Sequence, residues 1–127
     1  MKYLLDTHIF LWFISGDKRL PIHMKRGICE ANNEVYLSVV SIWESIIKQK
    51  LGKLILPKPA SVYLPKQREK HSISSLPLTE PSVAKLDELP QIHKDPFDRI
   101  LICQSIQFNL TIMTVDKMIK LYTDKTF

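Results

Sequence analysis

The chain has 127 residues, 45% of them hydrophobic and 24% charged, with a formal net charge of +5 and an isoelectric point near 9.3. That length fits one domain, residues 1–127, with a sizeable core, and the composition is that of a globular protein in water. No apolar run reaches the ~18 residues a bilayer span needs. The opening "MKYLLDTHIFLW" carries Asp6 at its middle and lacks a leader's cleavage site, so the cytoplasm is the expected location and no membrane is expected as a partner.

The elements follow in chain order. Residues 2–6, "KYLLD", read as a buried strand, and Thr7 to Ser15 as a helix with Ile9, Trp12 and Phe13 at helical spacing. Gly16 stands where a left-handed terminating residue belongs. Leu20 to Asn32 predicts a second helix, with Pro21 in its first turn and Asn32-Asn33 at its stop. "VYLS" (35–38) is a strand, and Val39 to Leu51 a helix whose apolar positions include Ile42, Trp43, Ile46 and Ile47. Residues 57–70 predict a short helix kinked by Pro65, which removes a backbone donor. "SISSLPL" (72–78) is a weak strand, and Thr79 caps a helix over Glu80 to Glu88. Asp95, Pro96 and Asn109 bracket the clearest helix, which is apolar around most of its circumference. "TIMT" (111–114) is a strand, 116–122 a short helix, and "TDKTF" a stub of a last strand. Cys29 and Cys103 lie far apart in apolar patterns without metal-ligand spacing, and read as two buried reduced thiols.

Short apolar strands alternating with helical crossovers predict an α/β fold with a mainly parallel sheet covered by helices on both faces. In such sheets ligands bind beyond the carboxyl ends of the strands. Asp6 and Asp116 both follow strands there. Singly, each reads first as a helix cap worth roughly 1 kcal/mol; together they point to a shared site. Ser41 to Glu44 spells a capping box, and Lys48 four residues on makes a surface pair with Glu44, so spacing leaves cap and site level for that acid. Asp95 is sufficiently explained as a cap. Asp98, one turn into a buried helix, is not.

Carboxylates gathered at one place repel unless a cation lies among them. Hard oxygen donors suit Mg²⁺, with Mn²⁺ as a substitute. His8, His23, His71 and His93 share no ligand spacing, which disfavours zinc. Such an ion lowers the pKa of bound water and neutralises charge on a phosphodiester, and the net positive charge of the chain favours an anionic partner.

These residues resemble the PIN-domain family, and within it the VapC-like toxin branch that opens "LLDTHxxLW", here Leu4 to Trp12. "LSVVSIWESIIK" (37–48), "DPFDRILICQS" (95–105) and "TIMTVDKMIKLY" (111–122) resemble the next three family motifs in order. The resemblance implies a three-layer α/β/α sandwich and a metal-dependent endoribonuclease cleaving single-stranded RNA. It also implies the toxin role in a toxin–antitoxin pair, with a cognate antitoxin and a homodimer. Carried over by position, the catalytic and metal-binding acids are Asp6, Glu44, Asp98 and Asp116. Thr7 and Thr114 are supporting hydroxyls, and Asp95 is a cap or an outer acid. Arg99 contacts an acid or phosphate, or is a solvated helix arginine. The segment around Pro65 is more broken than a family helix, and "ICQS" bulkier than the usual run.

Two other classes compete. A non-catalytic module that binds a protein partner and nucleic acid needs the fold but not the acids. A phosphate-accepting receiver domain needs an acidic pair at the first strand, where only Asp6 stands. The aromatic residues Phe10, Trp12 and Phe13, with "LPIHMKRGI" (20–28), line either the core or an antitoxin groove, and the core is the expected fate of Trp12.

Overall fold

Strands joined by helices must return to the same end of the sheet before each new strand begins, which makes neighbouring strands parallel. The computed structural model describes residues 1–90, 95–122 and 126–127. Its strands are β1 (Lys2–Leu5), β2 (Glu34–Ser38), β3 (Ser74–Leu76) and β4 (Thr111–Met113). They form one all-parallel sheet in the order β3-β2-β1-β4. β1 is therefore central, with Leu4 opposite Tyr36 on one side and Ile112 on the other.

Alternation along the strands feeds two cores. Tyr3 and Leu5, Val35 and Leu37, and Met113 pack with Ile9 and Phe10 of α1 (Thr7–Ser15), Met24 and Ile28 of α2 (Ile22–Cys29), and Leu64 of α4 (Ala60–Lys70). The intervening residues face the other way. Leu4 joins Leu76 and Leu101, and Ile112 joins Ile102 and Ile119, drawing on α6 (Pro96–Phe108) and α7 (Lys117–Lys120). Each fully buried Leu or Ile contributes roughly 1.5–3 kcal/mol. The result is the expected three-layer α/β/α arrangement.

Two helices flank this frame. α3 (Val39–Lys50) packs Ile42 and Ile46 on the first core while Val39 and Trp43 stay exposed. Trp43 instead meets Phe97 of α6 edge to face, with ring centroids 4.9 Å apart. α5 (Glu80–Ala84), capped by the Thr79 hydroxyl, continues as a 3₁₀ turn over Lys85–Asp87.

Several expectations need correction. α2 is shorter than Leu20 to Asn32, and Pro21 occupies its N-cap rather than its first turn. α4 runs through Pro65 for 11 residues, because Ala60 and Leu64 anchor its buried side. Ser38, not Ser41, caps α3, its Oγ accepting from the Val40 N–H at 3.0 Å. The capping box is therefore absent, and Ser41 lies inside the helix. Both cysteines are free, but only Cys103 is buried; Cys29 is exposed at the last residue of α2. Trp12 is partly buried against the core rather than within it. Residues 123–125 of the expected last strand lie outside the described residues, and Thr126 makes an isolated parallel bridge to Ile112.

One buried polar chain ties the layers together. Ser38 Oγ donates to Gln104 Oε1 at 2.6 Å, and Gln104 Nε2 donates to the Pro77 carbonyl at 3.2 Å. Ser38 and Gln104 are both fully buried, so losing either partner strands polar groups away from water. Gln104→Leu keeps most of the volume but leaves the Ser38 hydroxyl without an acceptor. Its expected cost is about 1–3 kcal/mol, read as a lower urea midpoint with an unchanged slope. An unchanged midpoint would show that water replaces the amide freely.

Candidate active site

Because every strand runs the same way, their carboxyl ends share one edge of the sheet. Asp6 directly follows β1, and Thr114 follows β4 two residues before Asp116. Ser38 closes β2 and opens α3, which carries Ser41 and Glu44 on its buried side. Asp98 sits in the first turn of α6.

Asp6 occupies the N-cap of α1 yet makes no side-chain cap bond. Its Oδ2 accepts from Thr114 Oγ1 at 2.8 Å instead, and both side chains are buried. Thr114 Oγ1 in turn accepts from the Asp116 N–H at 3.0 Å. One hydroxyl thus binds the ends of β1 and β4 together. Thr7 Oγ1 donates to Ser41 Oγ at 2.8 Å, which does the same for α1 and α3. Asp116 does act as a cap, accepting from the Met118 N–H at 2.8 Å. Asp95 also caps, its Oδ1 accepting from Phe97 and Asp98 N–H groups at 2.9 and 3.4 Å.

Glu44 is 3% exposed, so its pair with Lys48 is not the surface pair the spacing predicts. Lys48 Nζ lies 2.8 Å from Glu44 Oε2, with its own side chain one-third exposed at 33%. Glu44 Oε1 is buried and has no hydrogen-bond partner among the described residues. Lys48 pairs the charge, but a buried acceptor oxygen left without a hydrogen bond still costs about 1–3 kcal/mol.

The electrostatics place the acids in one field. Burial raises Asp98 to about 8, and the charges of Asp6, Asp95, Glu44 and Asp116 add to that rise. Burial also raises Asp6, against the Thr114 hydrogen bond and the His8 charge, while Glu44 and Asp116 raise it further. Burial works to lower Lys48, but its hydrogen bond and attraction to Glu44 outweigh this and raise it, with Asp95 and Asp98 adding.

The acids are neighbours without forming a finished cage. Among the described residues, no group of three or more Asp, Glu, His or Cys side chains is disposed to hold an ion as it stands. Local donors occupy the oxygens: Thr114 on Asp6, Lys48 on Glu44 and the Met118 N–H on Asp116. The donor set is nonetheless that of a hard divalent cation. It consists of carboxylates, it includes the unpartnered Glu44 Oε1, and two of its members are driven toward their neutral forms by burial first and by acidic neighbours in addition.

Arg99 follows Asp98 on α6. Its Nε is buried without a hydrogen-bond partner among the described residues, and its charge acts on the Cys103 thiol one turn along α6, against the burial that raises that thiol. Sequence reasoning missed Ser38, Ser41 and Gln104 as organising residues. A serine or glutamine within an apolar run is the signal for them, but it does not name the partner.

The sequence model of the PIN domain matches residues 3–125. The chain belongs to the PIN-domain family. No curated protein matches it. The VapBC2 structure from Rickettsia felis, bound to a fragment of promoter DNA, shares the fold with a TM-score of 0.71 at 16% identity, covering 100% of this chain and 96% of that one. A toxin–antitoxin complex from Klebsiella pneumoniae gives 0.65 at 15%, covering 98% and 95%. FitAcB from Neisseria gonorrhoeae gives 0.61 at 21%, covering 94% and 91%.

The raised carboxyls make this PIN domain's stability pH-dependent. Asp98 is ordinary, near 3.8, in the unfolded chain and about 8 in the folded one. Its contribution is complete at low pH and is lost as pH rises through the folded value. In EDTA the melting temperature is therefore expected to fall between about pH 4 and pH 8, the two ends of the Asp98 shift. Asp98→Asn should flatten that fall and melt higher than the parent at the alkaline end. Parallel profiles for the two proteins would refute the linkage.

Proposed function

We propose that this PIN domain, as a single domain over residues 1–127, is a divalent-metal-dependent endoribonuclease of single-stranded RNA and the toxin of a toxin–antitoxin pair. The carrying observation is Asp6, which holds a cap position without capping and lies buried in the field of Glu44, Asp98 and Asp116. A helix cap does not need acidic neighbours; a phosphodiester hydrolase does. The VapBC and Fit assemblies with the same fold support the toxin role and an antitoxin partner.

In this reading Asp6, Glu44 through Oε1, Asp98 and Asp116 hold Mg²⁺ or Mn²⁺. The bound ion supplies an acidified water and neutralises charge developing on the phosphodiester. Thr114 fixes the Asp6 rotamer and sets its distance from the Asp116 backbone. Thr7 and Ser41 hold α1 against α3, so Asp6 and Glu44 keep their relation. Asp95 orders the start of α6 and so places Asp98. The basic surface draws in the RNA backbone. A homodimer acting in the cytoplasm completes the proposal; among the described residues no helix is long and apolar enough to cross a membrane.

The oxygens already engaged by local donors favour one second reading, a non-catalytic module that binds a protein partner and nucleic acid. Cleavage assays separate the two. With Mg²⁺ or Mn²⁺ the protein is expected to cut single-stranded RNA, and EDTA to stop it. Asp6→Asn and Asp98→Asn should each lower the rate by about 10²–10³-fold, with unchanged circular dichroism. Absence of turnover with every divalent ion, in a folded protein, would decide for the module.

A further inference from the structure

A cleft of about 510 Å³ is lined among others by His8, Trp12, Arg19, Lys48, Lys53 and Tyr63, and Lys48 is its link to the acid cluster, through Glu44. That volume is within the range of ligand clefts. Much of its lining is apolar, including Leu11, Leu54 and Leu56; its cationic side chains are Lys48, paired with Glu44, Arg19, paired with Asp17 at 2.7 Å, and Lys53. The Arg19 guanidinium lies 5.1 Å from the centre of the Trp12 ring, and the His8 and Trp12 ring centroids are 6.1 Å apart. Stacking rings and a guanidinium beside lysine ammoniums are groups by which single-stranded nucleic acid is held without base pairing.

Lys48 is the residue that belongs to both places. Within the acid cluster its ammonium holds Glu44 Oε2 at 2.8 Å, and it feels Asp95 and Asp98. Toward solvent the same side chain is one-third exposed and lines the cleft. An ammonium has three donors, and among the described residues its ion pair is with Glu44. A cation buried only to neutralise Glu44 would not need to open onto a cleft.

We propose that Lys48 is the positioning residue that joins the cleft to the carboxylates: one N–H holds Glu44 while the others take a phosphate oxygen of an RNA strand lying in the cleft. The inference rests on the ribonuclease reading and deepens it by naming where the strand enters. Lys48 thereby presents the phosphodiester to the acids while keeping Glu44 turned so that Oε1 is free for the ion. A protein segment is the rival occupant of the cleft, whose rim includes the exposed Ile55.

The test is binding, not turnover. In full-length protein carrying Asp98→Asn, with EDTA present, the affinity for a fluorescent single-stranded RNA is measured across a potassium chloride series. K48M is expected to weaken binding about tenfold at low salt and to reduce the slope of log affinity against log salt by ~0.7, the value for one phosphate contact on a single strand. K48R should restore the slope, which a purely structural lysine would not require. An unchanged slope in folded K48M would overturn the proposal and leave the cleft to a protein segment. Absence of RNA binding in the Lys48-containing protein as well would overturn the ribonuclease reading along with it.

Discussion

Mutual repulsion among carboxylates at one edge of a parallel sheet is the constraint around which this molecule is arranged. Parallel strands deliver their carboxyl ends to the same side, so whatever follows each strand is thrown together. Here that brings Asp6, Glu44, Asp98 and Asp116 into one field, with burial and like charge driving Asp98 up to about 8. Like charges out of water do not stay together of their own accord. The apolar layers on both sheet faces must hold them there, and the stability of those layers is what the electrostatic strain is set against.

The polar groups around the acids show how the strain is contained. Thr114 takes one Asp6 oxygen, Lys48 one Glu44 oxygen, and helix N–H groups take oxygens of Asp95 and Asp116. Beneath them, Thr7–Ser41 and Ser38–Gln104 cross between elements that are distant in sequence. Buried networks of this kind gain little net energy but forbid alternatives, since shifting one helix would strand several polar groups at once. Rigidity at this edge of the sheet is what a site working by placement and electrostatics requires. Glu44 Oε1, unpartnered among the described residues, is the point at which the containment is incomplete.

Chains only 15–21% identical share this fold over nearly their whole length. So little identity is enough because the architecture needs apolar alternation on short strands and a matching helix face, which many residue combinations supply. Chemistry is not so permissive. The fold alone says nothing of what is done at its edge; the side chains there carry the functional reading, and Lys48 carries it furthest from the acids themselves.

Local rules were legible wherever a neighbour in sequence was enough to satisfy them. Gly16 and Asn109 do end helices in the left-handed conformation, Asp95 and Thr79 do cap, and strand alternation does separate the two cores. The expectations that failed were those in which a residue had both a local and a distant partner on offer. Asp6 and Ser41 looked like capping residues, yet Thr114 and Thr7, remote in sequence, claim their side chains. Cys29 had apolar surroundings in the chain and open ones in space, and Trp12 packs against the core without entering it. By itself the sequence determined which elements form and that their acids follow strands of a parallel sheet, because helix and strand periods are written in nearest neighbours. Tertiary structure alone decided that Glu44 is buried and that Lys48 bridges acid and cleft, because burial and charge depend on what packs from the far side.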